Sequence, residues 1–217
     1  MKIKHLIFIL PAIGVIVLSI VLLKSKVCKK APVAKVSIKK PSIVNSVSKS
    51  VTMLPLGNRI TNKLMRETYS NIKVILPNIT LAKAVQMPAL AYYPPRKRYR
   101  ADSLIHWMSR IAKPGEVLVG ITSQDISATA HGHEDFGIMG LGYRPGNACI
   151  SSAYRLKGHN ENFWKVVIHE LGHTVGLIHC PIKTCFMRAA EGKNTTGEEK
   201  EFCNKCKQHL IKNGWKL

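Results

Sequence analysis

The sequence predicts a mixed α/β domain over residues 55–217, and three observations carry that prediction. Segments with strand character alternate with amphipathic segments of helical period, as in layered α/β folds. One helical segment, near residues 164–175, carries histidines on the side opposite its apolar stripe. Two pairs of cysteines follow near the C-terminus, where a metal ion can tie the last part of the chain to the rest.

Residues 1–30 form a hydrophobic segment with basic flanks. Residues 5–23 contain no Lys, Arg, Asp or Glu and are dominated by Ile, Leu and Val, which is nearly enough for a helix to cross a bilayer. We predict a single-pass membrane anchor; the alternative is a signal peptide whose cleavage secretes the protein. Seven lysines between residues 24 and 40 favour a cytoplasmic domain by the positive-inside rule, but the membrane face stays open.

Residues 31–54 are rich in Lys, Pro and Ser and predict a linker, with a strand at its end as one option.

The net charge of +21 comes from 33 basic and 12 acidic residues, and residues 1–66 hold 13 of the basic residues and none of the acidic ones. Because aromatic residues for base stacking are missing among these lysines, we expect no nucleic-acid partner. Anionic lipid headgroups fit lysines that follow an apolar segment better.

The domain of residues 55–217 is expected to begin with a helix over 58–70 that Asn58 could cap, followed by a short strand over 72–76. The basic run 96–100 predicts a solvated surface, and Asp102 or Ser103 is the expected cap of the helix that follows it, through residue 111. Further strands are predicted at 116–123, 135–141 and 148–156, and a last helix at 198–212. Asn160 or Asn162 is the expected cap of the helix with the histidines.

That helix contains the sequence HExxHxxGxxHC from His169 to Cys180. His169 and His173 lie one turn apart on one helical face and can bind one metal ion. Gly176 can end the helix in a left-handed conformation, so that the chain turns and brings His179 to the same ion. Three imidazoles leave a fourth zinc position for water, as catalytic zinc sites do. Glu170 points about 100° away from His169 and is predicted to take the proton of that zinc-bound water.

The pattern resembles that of the metzincin metallopeptidases, and the residues after it resemble the archaemetzincins in particular: Cys180, Cys185, Met187 and the pair Cys203 and Cys206. The resemblance covers roughly residues 55–217 and implies a metzincin-like zincin domain with a twisted mixed sheet. It also implies that Met187 forms the turn beneath the catalytic metal. One departure is the gap of 15 residues between Met187 and Cys203, where the family pattern has about 17.

The resemblance further implies a second, structural zinc held by all four of those cysteines. Four thiolates in two close pairs also suit tetrahedral zinc by themselves; two disulfides are the alternative. Since Cys180 adjoins His179, such a zinc would hold the third catalytic ligand in place. Cys28 and Cys149 are expected to be unpaired thiols. Histidines 131, 133 and 159 are expected to be solvated rather than metal ligands.

These observations predict a zinc-dependent metallopeptidase, either an endopeptidase or an aminopeptidase, that acts as a monomer on peptides or proteins. In metzincins an antiparallel edge strand binds extended substrate, and residues 149–154 resemble that strand; an ordinary core strand is the alternative. The alternative function is a membrane-tethered zinc-binding module without turnover. The intact Glu170 favours the enzyme, because a binding module has no need of a general base.

Overall fold

The computed structural model describes residues 50–217 of the 217-residue chain. These described residues form four α-helices and nine strands, and the strands make up two sheets. The helices are α1 (Asn62–Ile75), α2 (Ala101–Ile111), α3 (Phe163–Thr174) and α4 (Asn204–Lys212). The strands are β1 (Ser50–Pro55), β2 (Thr80–Leu81), β3 (Tyr92–Tyr93), β4 (Arg98–Arg100), β5 (Glu116–Thr122), β6 (Ile126–Ala130), β7 (His133–Ile138), β8 (Gly140–Gly142) and β9 (Ala148–Ser152). The predicted mixed α/β class is confirmed.

The larger sheet has five strands in the order β2-β1-β5-β9-β8. Its first four strands are parallel, and only β8 runs antiparallel to its neighbour β9. Strand β9 therefore lies inside the sheet, hydrogen-bonded on both sides. The prediction that residues 149–154 form the edge strand is wrong, because the short, glycine-rich segment Gly140–Gly142 takes that position.

The smaller sheet has the order β3-β4-β6-β7, with β4 and β6 parallel and the other pairs antiparallel. Strand β7 ends this sheet, and β8, which ends the larger sheet, begins two residues later. One continuous stretch of chain thus supplies an edge strand to each sheet. The predicted strand 135–141 is broken between them at Met139.

The core lies in two layers, one on each face of the larger sheet. Successive residues of β5 point to opposite layers: Val117 and Val119 pack on the side of α1 and α3, whereas Leu118 packs on the side of α2. Because β5 is buried along almost its whole length, its near-continuous apolar run could be predicted correctly as a strand.

The first helix, α1, differs from the sequence prediction at both ends. Thr61, and not Asn58, caps α1, since its hydroxyl accepts a hydrogen bond from the Leu64 amide at 3.2 Å. The predicted strand 72–76 is wrong: Ile72 is a buried position of α1, and helical packing against the core overrides its β-branched preference.

Caps elsewhere also differ. Asp102 and Ser103 lie inside the first turn of α2, which begins after Arg100 and has no side-chain cap. Asn162 takes the N-cap position of α3 but makes no capping hydrogen bond. Helix α4 begins after Cys203 instead of at residue 198, because residues 195–199 form hydrogen-bonded turns.

The predicted anchor, residues 5–23, lies outside the described residues, as do Cys28 and most of the predicted linker. Within residues 50–217, no helix has the length and apolarity needed to cross a membrane. A strand at the end of the linker was one of the options predicted from the sequence. This strand is present as β1, which pairs with β5 at the centre of the larger sheet.

Candidate active site

Helix α3 presents the first two histidines to a cleft and packs its apolar side into the core. Val167 and Leu171 are fully buried on that side. The helix ends at Gly176, whose φ of +100° is left-handed. The amide of Leu177 donates to the Gly172 carbonyl, and that of Gly176 to the His173 carbonyl, as in a Schellman motif. The turn that the sequence predicted at Gly176 is confirmed.

The three histidine side chains that the sequence singled out converge. One ring nitrogen from each of His169, His173 and His179 lies within 4.8 Å of the others. The Nδ1 atoms of His169 and His173 lie 2.7 Å from the carbonyl oxygens of Phe186 and Leu177, to which they must donate a proton. Both Nε2 atoms are then proton acceptors, and they face one another at 3.1 Å.

Two acceptor nitrogens at that distance repel each other unless a cation lies between them. Burial is the main cause that lowers the pKa of all three imidazoles, that of His169 to about 3, so the rings stay neutral at physiological pH. Zinc–nitrogen bonds of about 2.0–2.1 Å would place neighbouring ligand nitrogens roughly 3.3–3.4 Å apart. The donor set and its spacing therefore fit zinc. His179 is exposed, which leaves one side of the cluster open.

Glu170 lies on the floor of the same cleft, which His169 and His179 also line. Only 7% of it is exposed, and burial raises its pKa to about 8. Strand β8 covers the carboxyl group from one side: a Cβ atom at Gly140 would lie 2.4 Å from Glu170 Oε1, and one at Gly142 would lie 2.5 Å from the Glu170 carbonyl oxygen. Only glycine allows this strand to approach the helix so closely.

Met187 supports the histidine cluster from below. It is fully buried, and a Cβ atom at Gly172 would lie 2.5 Å from its sulfur. Its carbonyl accepts a hydrogen bond of 2.7 Å from the Cys180 amide, directly after the third histidine. The methionine therefore packs against α3 at Gly172, and its position beneath a catalytic metal stays a prediction of the resemblance.

The four predicted cysteines also come together, in a second cluster. Their sulfur atoms lie within 4.8 Å of one another, and the Sγ atoms of Cys180 and Cys203 are 3.7 Å apart. Zinc–sulfur bonds of about 2.3 Å would separate neighbouring sulfurs by roughly 3.8 Å in a tetrahedron. All four thiols are free, and the Cys203 amide donates to Cys185 Sγ at 3.4 Å. Their spacing fits zinc, whereas the sulfurs of a disulfide would lie about 2.05 Å apart.

Cys149 is a free, buried thiol, as predicted. Histidines 131, 133 and 159 are exposed, also as predicted. His209, which was not predicted as a site residue, lies one turn after Cys206 on α4. Its Nε2 donates to the carbonyl of Val175 at 2.7 Å, so α4 is joined to the end of the active-site helix. Only the position of His209 on the helix face that bears Cys206 could have indicated this contact.

The cleft has a volume of about 1450 Å³. Residues 131–140, which include β7, form one wall, and residues 188–197 with Glu199 form the other. The ammonium group of Lys165, one turn before His169, fixes the second wall by donating to the carbonyls of Thr196 and Glu199 at 2.7 Å each.

The basic run 96–100 is not a simple solvated surface, because Arg98 is largely buried in ion pairs with Asp125 and Asp135.

Comparison with known proteins places these features in a family. A family model described as peptidase family M54 matches residues 136–212, which include both clusters. The chain is 33% identical over 135 residues to the archaemetzincin of Nanoarchaeum equitans, covering 62% of this chain and 75% of that protein. It is 26% identical over 177 residues to the archaemetzincin of Halobacterium salinarum, covering 74% of this chain and 99% of that protein.

A solved structure shows the same likeness in three dimensions. The crystal structure of the archaemetzincin from Methanopyrus kandleri has a TM-score of 0.65 and 25% sequence identity to this chain. The similarity covers 79% of this chain and 98% of that one.

Proposed function

The chain belongs to the archaemetzincin family of zinc metallopeptidases, and from this premise we propose that His169, His173 and His179 bind its catalytic zinc and that Glu170 is the general base. One observation carries the ligand assignment. His169 and His173 each give their Nδ1 proton to a backbone carbonyl, and their two remaining acceptor nitrogens face each other at 3.1 Å. Such an arrangement is stable only around a cation.

The chemistry proposed for this site is hydrolysis of a peptide bond. Zinc, when bound, acts as a Lewis acid that polarises the scissile carbonyl and acidifies water. The Glu170 carboxylate accepts a proton from the attacking water and later donates it to the nitrogen of the leaving amine. Burial raises the pKa of this carboxyl group from 4.5 towards neutrality, where one group can serve as the base in the first step and as the acid in the second.

The substrate is proposed to bind as an extended peptide along the joined edges of β7 and β8. Both strands end their sheets, and residues 131–140, which include β7 and the start of β8, line the cleft. Unpaired backbone groups of an edge strand can bind a peptide by strand addition. The edge strand leads to Gly140, whose backbone packs against Glu170, so a peptide bound there would pass the general base.

The second zinc is proposed to lie among Cys180, Cys185, Cys203 and Cys206, with a structural role. Burial is the first cause that raises the pKa of Cys185 and Cys206, so these thiols need a cation to ionise. Four protein ligands would close this site, in contrast to the three of the catalytic site. The ion would hold the chain rigid beside His179.

The experiment that tests the enzyme proposal compares cleavage of a peptide library by the zinc-loaded full chain and by its Glu170→Gln variant. We expect cleavage by the wild type and a loss of about 10²–10⁴-fold in the variant, with unchanged zinc content. Glu191→Gln is the matched control, because Glu191 is an exposed carboxylate that lines the same cleft outside the proposed substrate-binding strand, and this variant should keep its activity. Equal rates for wild type and Glu170→Gln would refute the assignment of the general base.

The second candidate function is a zinc-binding module without turnover. The burial of Glu170 argues against it, since a carboxyl group with a raised pKa destabilises the domain at neutral pH, and such groups concentrate at catalytic sites.

Attachment to a membrane through residues 5–23 is a further proposal that rests on the sequence alone, as is the monomeric state. Extraction of the full chain with detergent but not with salt would support the anchor.

A further inference from the structure

A charged cluster on one wall of the cleft has no part in the proposed hydrolysis. Arg155 forms a bidentate pair with Asp125, with distances of 2.9 Å from Nε to Oδ1 and 3.0 Å from Nη2 to Oδ2. Arg98 Nε lies 3.1 Å from the same Asp125 carboxylate. Arg98 and Arg96 also contact Asp135, at 3.4 and 3.7 Å. Three guanidinium groups therefore share two carboxylates, and the cluster has a net charge of +1.

Arg155 has a fixed position next to the edge strand. Its guanidinium lies against the bare backbone of Gly137 in β7, where a Cβ atom would be 1.9 Å from Nη2. Gly137 precedes Gly140, which packs on Glu170, by three residues, or roughly 10 Å of extended chain. A peptide bound along this edge would therefore meet Arg155 about three residues away from the general base.

Arg155 is also free to bind a further anion. Its Nε and Nη2 atoms are held by Asp125, whereas Nη1 makes no hydrogen bond within residues 50–217. The side chain is 33% exposed, compared with 12% for Arg98, and it lines the cleft. A guanidinium whose orientation is already fixed loses little entropy when it binds a second carboxylate. A role confined to joining β6 and β7 would not need this exposure.

We propose that Arg155 is a specificity-determining residue that binds a carboxylate of the peptide substrate, about three residues from the scissile bond. The inference rests on the proposed peptidase function of the same cleft. The carboxylate belongs either to an aspartate or glutamate side chain or to the C-terminus of the substrate. Both present carboxylate oxygens that can accept a charge-assisted hydrogen bond from Nη1 of Arg155.

The test measures binding and not turnover, so that it can be read even if the chain cleaves no peptide. The zinc-loaded full chain with Glu170→Gln is titrated with fluorescent hexapeptides of three kinds. The first carries one glutamate at each position in turn and has an amidated C-terminus. The second carries glutamine in place of glutamate and has a free C-terminus. The third carries glutamine and is amidated.

We expect one carboxylate-bearing kind to bind at least about tenfold more tightly than the neutral peptides, as a charge-assisted hydrogen bond would provide. Adding Arg155→Gln should abolish this preference and leave binding of neutral peptides unchanged. Arg155→Lys keeps the charge and a contact with Asp125, and it should retain part of the preference. Lys193→Gln, which removes an exposed cation from the opposite wall, should keep the preference.

Two results would overturn the proposal. One is the absence of any preference for carboxylates in the background with intact Arg155. The other is an equal loss of affinity for all three kinds of peptide in the Arg155→Gln variant, which would mean that Arg155 only supports the cleft wall. Thermal unfolding of each variant shows whether the fold is retained, and if Arg155→Gln fails to fold, the Arg155→Lys variant decides by the same criterion.

Discussion

The histidine cluster and the cysteine cluster adjoin each other, since His179 and Cys180 are consecutive, yet they are built differently. The histidine cluster offers three ligands, borders a wide cleft and has a buried carboxylate beside it. The cysteine cluster offers four ligands, and the 3.7 Å between the Sγ atoms of Cys180 and Cys203 is close to the separation of two sulfurs on tetrahedral zinc. Under the proposed function, one short stretch of chain would combine a catalytic centre with a structural metal site.

The difference extends to stability. In the histidine cluster, burial keeps the imidazoles neutral and raises the pKa of Glu170. Burial therefore disfavours the charged forms of the groups in this site. In the cysteine cluster, the ligands come from two separate parts of the chain, the segment after α3 and the start of α4, and an ion there would cross-link them. We therefore expect damage to the cysteine cluster to affect folding, and damage around the histidine cluster to affect catalysis.

The largest effect is expected from Cys206→Ser. Loss of one thiolate should release the structural zinc and reduce the free energy of unfolding by about 5 kcal/mol, because metal binding contributes directly to folding. For a domain of this size that corresponds to a fall in melting temperature of roughly 10–20 °C. Thermal unfolding and zinc analysis measure both changes.

The matched control for Cys206→Ser is Cys149→Ala, at a free, buried thiol outside both clusters. It should cost stability through a small cavity but retain all its zinc. If Cys206→Ser kept its zinc content, the cysteine cluster would not be a metal site.

The next largest effect concerns Glu170→Gln in metal-free protein. The folded-state pKa of Glu170 is about 8, above the ordinary value of 4.5, so the wild type loses stability as the pH rises from about 4.5 through about 8. A glutamine does not titrate. The variant should therefore be more stable than the wild type by on the order of 2–4 kcal/mol at pH 8, and nearly equal to it at pH 4.5.

Urea unfolding of the two metal-free proteins at pH 5 and pH 8 measures this difference. The buried histidines titrate equally in both proteins, so their contribution cancels in the comparison. A stability difference that did not grow between pH 5 and pH 8 would mean that the carboxyl group is better hydrated than the structure indicates.

A smaller effect is expected from Gly140→Ala. The new Cβ atom would lie 2.4 Å from Glu170 Oε1 and must displace the carboxyl group from its place beside the histidines. We expect a fall in kcat of about tenfold or more, since small misplacements of catalytic groups are costly. Steady-state kinetics on any cleaved peptide measure it. Gly197→Ala is the control, because no atom lies within 4 Å of a Cβ atom there and its activity should be unchanged.

The smallest effect is expected from His209→Ala, which removes the hydrogen bond between α4 and the Val175 carbonyl. One hydrogen bond to a helix end contributes about 1 kcal/mol, so the catalytic zinc should bind roughly fivefold more weakly. Competition with a chromogenic chelator measures that affinity, and His209→Arg, which can still donate, should restore it. An unchanged zinc affinity would mean that the two clusters are energetically independent.

The clusters could be predicted from the sequence because their ligands are close in the chain and helical geometry relates their positions. His169 and His173 are four residues apart, and Gly176 determines where the helix ends. The buried strand β5 was predictable for a similar reason, as its apolar run needs no knowledge of its neighbours.

Features that depend on long-range packing could not be predicted. The edge strand was assigned to residues 149–154, although β8 takes that place, because sequence does not reveal which strand has a free edge. The pairs of Arg155 with Asp125 and of Arg98 with Asp125 join residues about 30 positions apart. The contact of His209 with Val175 spans 34 positions and leaves no periodic signal.

The most direct test of the two-cluster account is the zinc content of the purified full chain before and after brief treatment with 1,10-phenanthroline. We expect two zinc ions per chain, of which one is removed within minutes together with peptide cleavage. The other, enclosed by four cysteines, should remain, and one equivalent of zinc should restore cleavage. A chain that binds only one zinc ion, or that loses both ions at the same rate, would refute the assignment of two distinct zinc sites.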